Sequence, residues 1–245
     1  MGGRLDLAAA RRGRLQERLR LGLHAEGQPV DTSSARLSGY NFIVVFRELR
    51  LNEVLLTLAR KLLPVLPNPL VTEIPNQLIG VVYPDHAIQC QFANRRIDVR
   101  HTPRSEMVGE EPFCDVAVAA VEKTRESGNQ DVIAYGFNYD VLMPLRDYDR
   151  PGQYVVSRFI ANANLLTAIF GGKVEDGAIK VTISGEDCQV NFDLEGIPPD
   201  APNRLKAHVN YHFADRLPPK DAAALCQVMQ QKYGDFFRAL QALPD

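Results

Sequence analysis

His208 and His212 are the first pair in this chain whose spacing invites chemistry. On a helix, His-x-x-x-His would put both imidazoles on one face, within reach of a single metal ion. These two instead sit in residues 205–213, where apolar and polar side chains alternate with the period of a strand. A strand holds them about 13 Å apart, too far to share a ligand. No metal and no cofactor is therefore expected. The four cysteines, at 90, 114, 188 and 226, include no C-x-x-C pair. That favours buried reduced thiols over a zinc site or a disulfide framework. Cys90 and Cys188 fall on strands and are expected to pack as small hydrophobes, with a Cys-His nucleophile pair as the less favoured reading. Asp147 and Asp149 flank Tyr148 in a turn-rich loop and read as solvated. G-x-S-x-G, P-loop, G-x-G-x-x-G and H-E-x-x-H signatures are all missing. A binding protein is thus favoured over an enzyme.

Polar residues that share one side of several strands stand out more. Gln89 and Gln91, then Arg96, Asp98 and Arg100, occupy outward positions in the first half of the chain. Lys180, Thr182 and Ser184, then Gln189, Asn191 and Asp193, then Arg204, Lys206, His208, Asn210 and His212, do so in the second. Basic residues predominate there although the formal net charge is -2. The binding candidates are Arg96, Arg100, Lys180, Arg204, Lys206, His208, Asn210 and His212. The leading expectation is a non-catalytic binding or assembly module that uses this locally basic face for a protein partner or self-association, with a homodimer expected. A second is nucleic-acid binding through the same face, with Arg96, Arg100, Lys180, Arg204 and Lys206 on phosphates. The outward residues include no aromatics, which disfavours stacking on single-stranded bases. A third is a small-ligand sensor or enzyme with a pocket between two halves. Its candidates are Tyr135, Asn138, Tyr139 and Asp140, with His86 or His101 near the tyrosines.

The elements that must position these residues follow from periodicity. Residues 41–49 and 131–142 alternate as strands, and the second is large and mostly aromatic on one face. Asn52 is placed to cap a helix running to about residue 63, where prolines end it. Strands are expected at 77–83, 86–92 and 96–101, then a helix from Pro112 to Gly128. The pattern then recurs: strand 131–142, helix 153–170, strands 178–184, 188–194 and 205–213, and a final helix after Pro218-Pro219. The fold class is therefore α+β. It is expected to be a tandem duplication of a strand-helix-three-strand-meander-helix unit, with antiparallel sheets and helices on one face. Residues 39–129 and 130–245 form the two repeats, and the first strands of each are expected at the centre. Topology resembles the repeat of the TATA-box-binding protein, which has one more strand, and effector-binding domains that hold small ligands between halves. Neither likeness carries over a residue or an activity.

Residues 1–38 differ in character, with six arginines against Asp6 and Glu17 up to residue 20. They read as a basic arm, poorly ordered or helical, followed by a linker at 27–34. No apolar run approaches the roughly 18 residues of a membrane span, and no signal-peptide core is evident. A cytoplasmic location is expected.

Overall fold

The computed structural model describes residues 30–61, 65–103, 108–146, 150–172, 174–197 and 204–244. The arm at 1–29 and the turn at 147–149 lie outside the described residues. The described residues form nine strands: β1 (Arg36–Phe46), β2 (Leu70–Ile74), β3 (Leu78–Tyr83), β4 (Ile88–Ala93), β5 (Arg96–His101), β6 (Val132–Pro144), β7 (Ala178–Ser184), β8 (Gln189–Gly196) and β9 (Arg204–Ala214). They also form five α-helices: α1 (Glu53–Arg60), α2 (Glu111–Glu126), α3 (Pro151–Phe159), α4 (Ala163–Phe170) and α5 (Ala222–Gln241). The strands make one antiparallel sheet in the order β2-β3-β4-β5-β1-β6-β9-β8-β7, so β1 and β6 pair at its centre. Among the described residues no helix is long and apolar enough to cross a membrane.

Period-two alternation builds the core. Phe42, Val44 and Phe46 of β1 are buried with Tyr135, Phe137, Tyr139 and Val141 of β6 and Leu205 to Phe213 on alternate positions of β9. Phe42 stacks on Phe137 at 5.7 Å and Tyr135 on Phe213 at 4.5 Å between ring centroids. The Tyr139 hydroxyl donates to the Met229 carbonyl of α5 at 2.8 Å, which satisfies the polar atom that this side chain carries into the core. Burial drives the Tyr139 phenol well above its ordinary pKa. Asn52 caps α1 by accepting from the Leu55 amide, as its position implies, and Asp221 caps α5 through the Ala224 amide.

Several expectations need correction. β2 has no counterpart among the expected strands: Pro69 and Pro75 bracket it, and proline is tolerated because β2 is an edge strand. The first half therefore has a four-strand meander, while the second has three strands. The helix expected over 153–170 is two helices, broken at residues 160–162, where Asn162 takes the N-cap position of the second, since asparagine favours caps and turns over helix interiors. Residues 31–34, expected as linker, form a 3-10 turn capped by Asp31, whose carboxylate also holds Arg146 at 2.7 Å. Cys114 and Cys226 are not reduced thiols but a disulfide between α2 and α5. Finally, Tyr135, Asn138, Tyr139 and Asp140 do not line one pocket. The strand sends the two tyrosines into the core and Asn138 and Asp140 to the opposite face.

Two features of the core carry predictions. Gly136 lies against β9, and a Cβ there would stand 2.5 Å from the Tyr211 carbonyl oxygen. Gly136→Ala is expected to lower stability by about 1–3 kcal/mol, the usual cost of overpacking, read as an earlier urea midpoint with unchanged slope. His101 is buried, edge-on to Tyr40 at 5.0 Å. Loss of hydration pushes its pKa below the ordinary value, outweighing the nearby Glu110 carboxylate. The folded chain thus binds this proton less readily than the unfolded chain does. Its contribution is complete at neutral pH and declines as pH falls through the unfolded value of about 6.5, levelling off below the folded pKa. Urea midpoints measured from pH 7.5 to 5 should decline, and His101→Gln should flatten part of that slope.

Candidate functional site

The face of the sheet opposite the aromatic core is organised by one row of side chains. Register aligns Asn41, Asn138, Asn210, Asn191 and Thr182 directly across β1, β6, β9, β8 and β7. The Thr182 hydroxyl donates to Asn191 Oδ1 at 2.8 Å, and Asn191 Nδ2 donates to Asn210 Oδ1 at 3.3 Å. Asn210 Nδ2 donates to Asn138 Oδ1 at 2.8 Å, and Asn138 Nδ2 to Asn41 Oδ1 at 2.7 Å. Asn41 Nδ2 then donates to Asp98 Oδ1 of β5 at 3.0 Å. Six side chains on six strands form an unbroken relay.

Its direction has a physical cause. An ionised carboxylate only accepts hydrogen bonds, whereas a carboxamide both donates and accepts. Asp98 therefore requires Asn41 to present its NH2 group, which turns the Asn41 oxygen toward Asn138, and the choice propagates strand by strand to the Thr182 hydroxyl. Asp98 is 2 % exposed, and a buried charge needs partners. Arg100 supplies two hydrogen bonds to Asp98 Oδ2, at 3.0 and 2.6 Å, and Arg96 approaches the same oxygen at 3.9 Å.

Beside the row, over β6 to β9, lies an open cleft of about 420 Å³. Its polar walls are Asp140, Lys180, Asp193, Glu195, Lys206 and His208. His208 stands between Asp140 and Asp193 in the register, and its Nδ1 lies 3.0 Å from Asp140 Oδ1. Lys206 Nζ is 3.5 Å from Glu195 and 3.9 Å from Asp140, and Lys180 Nζ is 3.5 Å from Asp193. Asp193 Oδ1 is enclosed and has no hydrogen-bond partner among the described residues. Among those residues, no group of three or more His, Cys, Asp or Glu side chains is arranged to hold a metal ion.

No family model matches this sequence, and no curated protein matches it either.

The candidates named from sequence are brought together in part. Lys180, Lys206 and His208 join Asp140 around the cleft, and Asn210 joins Asn138 in the row. Arg96 and Arg100 lie on the far side of β1, linked to the row through Asp98 and Asn41. His212 is level with Gly136 and Gln189, and Arg204 sits at the end of β9 opposite Pro144, outside the residues that line the cleft. The excess of basic charge expected here is largely offset. Arg96, Arg100, Lys180 and Lys206 each have a carboxylate within 3.9 Å. Asn41 was missed as a site residue. The available signal was an asparagine at the outward position in the middle of several strands, at 41, 138, 191 and 210. Cys90 is fully buried and its thiol is pushed far above the ordinary range by burial, and the Cys188 thiol is also raised. Neither shift favours a nucleophilic thiolate.

Proposed function

We propose that this chain is a non-catalytic binding or assembly module whose contact surface is the polar sheet face and whose partner is a protein. The amide row carries this reading. Within the row, each of the four asparagines uses one N–H and one lone pair, leaving a second N–H and a second lone pair for a ligand. Such paired donors and acceptors suit the amide N–H and C=O groups of a polypeptide. The adjoining cleft then takes a charged or polar side chain of that partner. The offset of cations by carboxylates supports a protein partner over a nucleic acid, because cations already paired release fewer counterions from phosphates.

The same reading includes an internal duplication, with the helices lying over the aromatic face and leaving the polar face open. Supporting it are the matched order of elements, the central β1–β6 pair and the disulfide between the two closing helices. The extra strand β2 is the difference between the halves.

A random-peptide display library, selected on the wild-type chain, tests the reading. Enriched peptides should bind at least about tenfold more weakly, a loss of about 1.4 kcal/mol, to a variant carrying Asn138→Leu and Asn210→Leu. Equal binding to both proteins would count against this face.

A further inference from the structure

The two edges of the sheet are built differently. β2, at one edge, has five residues and points Glu73 toward the side where Ile79 of its neighbour is buried. A short edge with an inward-pointing charge is a recognised protection against pairing with another chain. β7, at the other edge, has seven residues and no inward-pointing charge; its one charged side chain, Lys180, is on the outward side, level with Asp193. Its inward side chains are Ile179, Val181 and Ile183, level with Leu194, Phe192 and Val190 of β8. Val181 is 40 % exposed and Ile183 53 %. The segment leading into β7 is apolar too. Residues 159–172 contain no charged side chain, and Phe159, Leu165, Leu166, Ile169 and Phe170 are all exposed.

We propose that a second copy of this chain pairs with β7, antiparallel and about a two-fold axis through Val181, joining the two sheets into one. An isologous contact must be complementary to itself, and β7 is. With Val181 opposite Val181 of the partner copy, all seven residues of Ala178–Ser184 find partners. Ile179 meets Ile183, so the inward side is apolar throughout. Lys180 meets Thr182, so no lysine faces a lysine on the outward side. Shifting the axis to residue 180 would set the two Lys180 ammonium groups against each other, which is destabilising. Shifting it to residue 182 leaves Ile179 without an apolar partner. A seven-residue edge alone is small against the roughly 1,200 Å² of a stable interface. We assign the rest of the contact to the exposed apolar side chains of α4, the helix that precedes β7 in the chain. The pairing places the Thr182 ends of the two amide rows side by side, so the dimer presents one continuous polar face with both clefts near its axis.

Light scattering on the eluting full-length chain should give the mass of two chains, and Val181→Lys, which opposes two lysines on the axis, should give the mass of one with an unchanged circular-dichroism spectrum. In a Cys188→Ser background, Val181→Cys should form a covalent dimer on oxidation, since directly paired residues have Cα atoms about 4.5–5.5 Å apart. Ile183→Cys in the same background should not, because its two copies lie about 13 Å apart. A wild-type chain that stays single at every concentration overturns the proposal. So does a dimer that survives Val181→Lys, or cross-linking that is as efficient from residue 183 as from 181.

Discussion

Serine at both Cys114 and Cys226 lowers the free energy of unfolding by about 4–5 kcal/mol, the loss of chain-entropy constraint for a closed loop of roughly 100 residues. The linked residues are 112 apart in sequence, so the bond removes a large share of the freedom of the unfolded chain. It also ties α2 to α5, the helices that follow β5 and β9. Against a total stability of about 5–15 kcal/mol for a typical domain, this is the largest single contribution considered. Urea unfolding of the oxidised protein, the thiol-reduced protein and the double serine variant measures it. The last two should share a midpoint well below the first. Identical midpoints for all three would show that the link does not constrain the chain, and non-reducing peptide mapping would show whether Cys114 and Cys226 are joined at all.

Removing the acceptor at the end of the amide row has the next largest effect. Asp98→Ala deprives Asn41, Arg96 and Arg100 of their shared partner. A hydrogen bond to a charged group is worth about 1.5–3 kcal/mol, but the two arginines are about half exposed (46 % and 53 %) and recover water. The expected cost is therefore about 2–3 kcal/mol in urea unfolding. Asp98→Asn separates charge from shape. It keeps the volume and one oxygen but can also donate, so the row no longer has a fixed direction. Stability should fall by only about 1 kcal/mol, while the side-chain amide resonances of Asn41, Asn138 and Asn210 should shift or broaden. Unperturbed amide resonances in Asp98→Asn would mean that Asp98 does not set the direction.

Much of this architecture was legible along the chain because a strand writes its two faces as alternate letters. The aromatic face of β6 and the outward positions of β5, β8 and β9 could be assigned in that way. What failed was information that lies across strands. β2 was hidden because prolines at 69 and 75 read as loop, although an edge strand has one side free of ladder hydrogen bonds. The Cys114–Cys226 link depends on β1 and β6 pairing at the centre, which brings α2 and α5 together over a long sequence distance. Asn138 and Asp140 do not belong with Tyr135 and Tyr139 in one pocket, because alternation along β6 turns the tyrosines to the core. The amide row required the register of six strands, and Asn41 in isolation is one polar residue in an apolar strand. Charge was legible as composition but not as pairing. The lysines and arginines looked like a basic surface until their carboxylate neighbours were placed.

In the proposed function the polar face, through its amide row, is where this chain meets its partner. The most direct measurement is side-chain amide NMR of the ¹⁵N-labelled protein during titration with a peptide enriched on the wild-type chain. The row predicts that the NH2 resonances of Asn41, Asn138, Asn191 and Asn210 move together and saturate with the binding isotherm. Shifts confined to the opposite side of the sheet, for example to the backbone amides of α2 and α5, with the four asparagines unmoved, would contradict it.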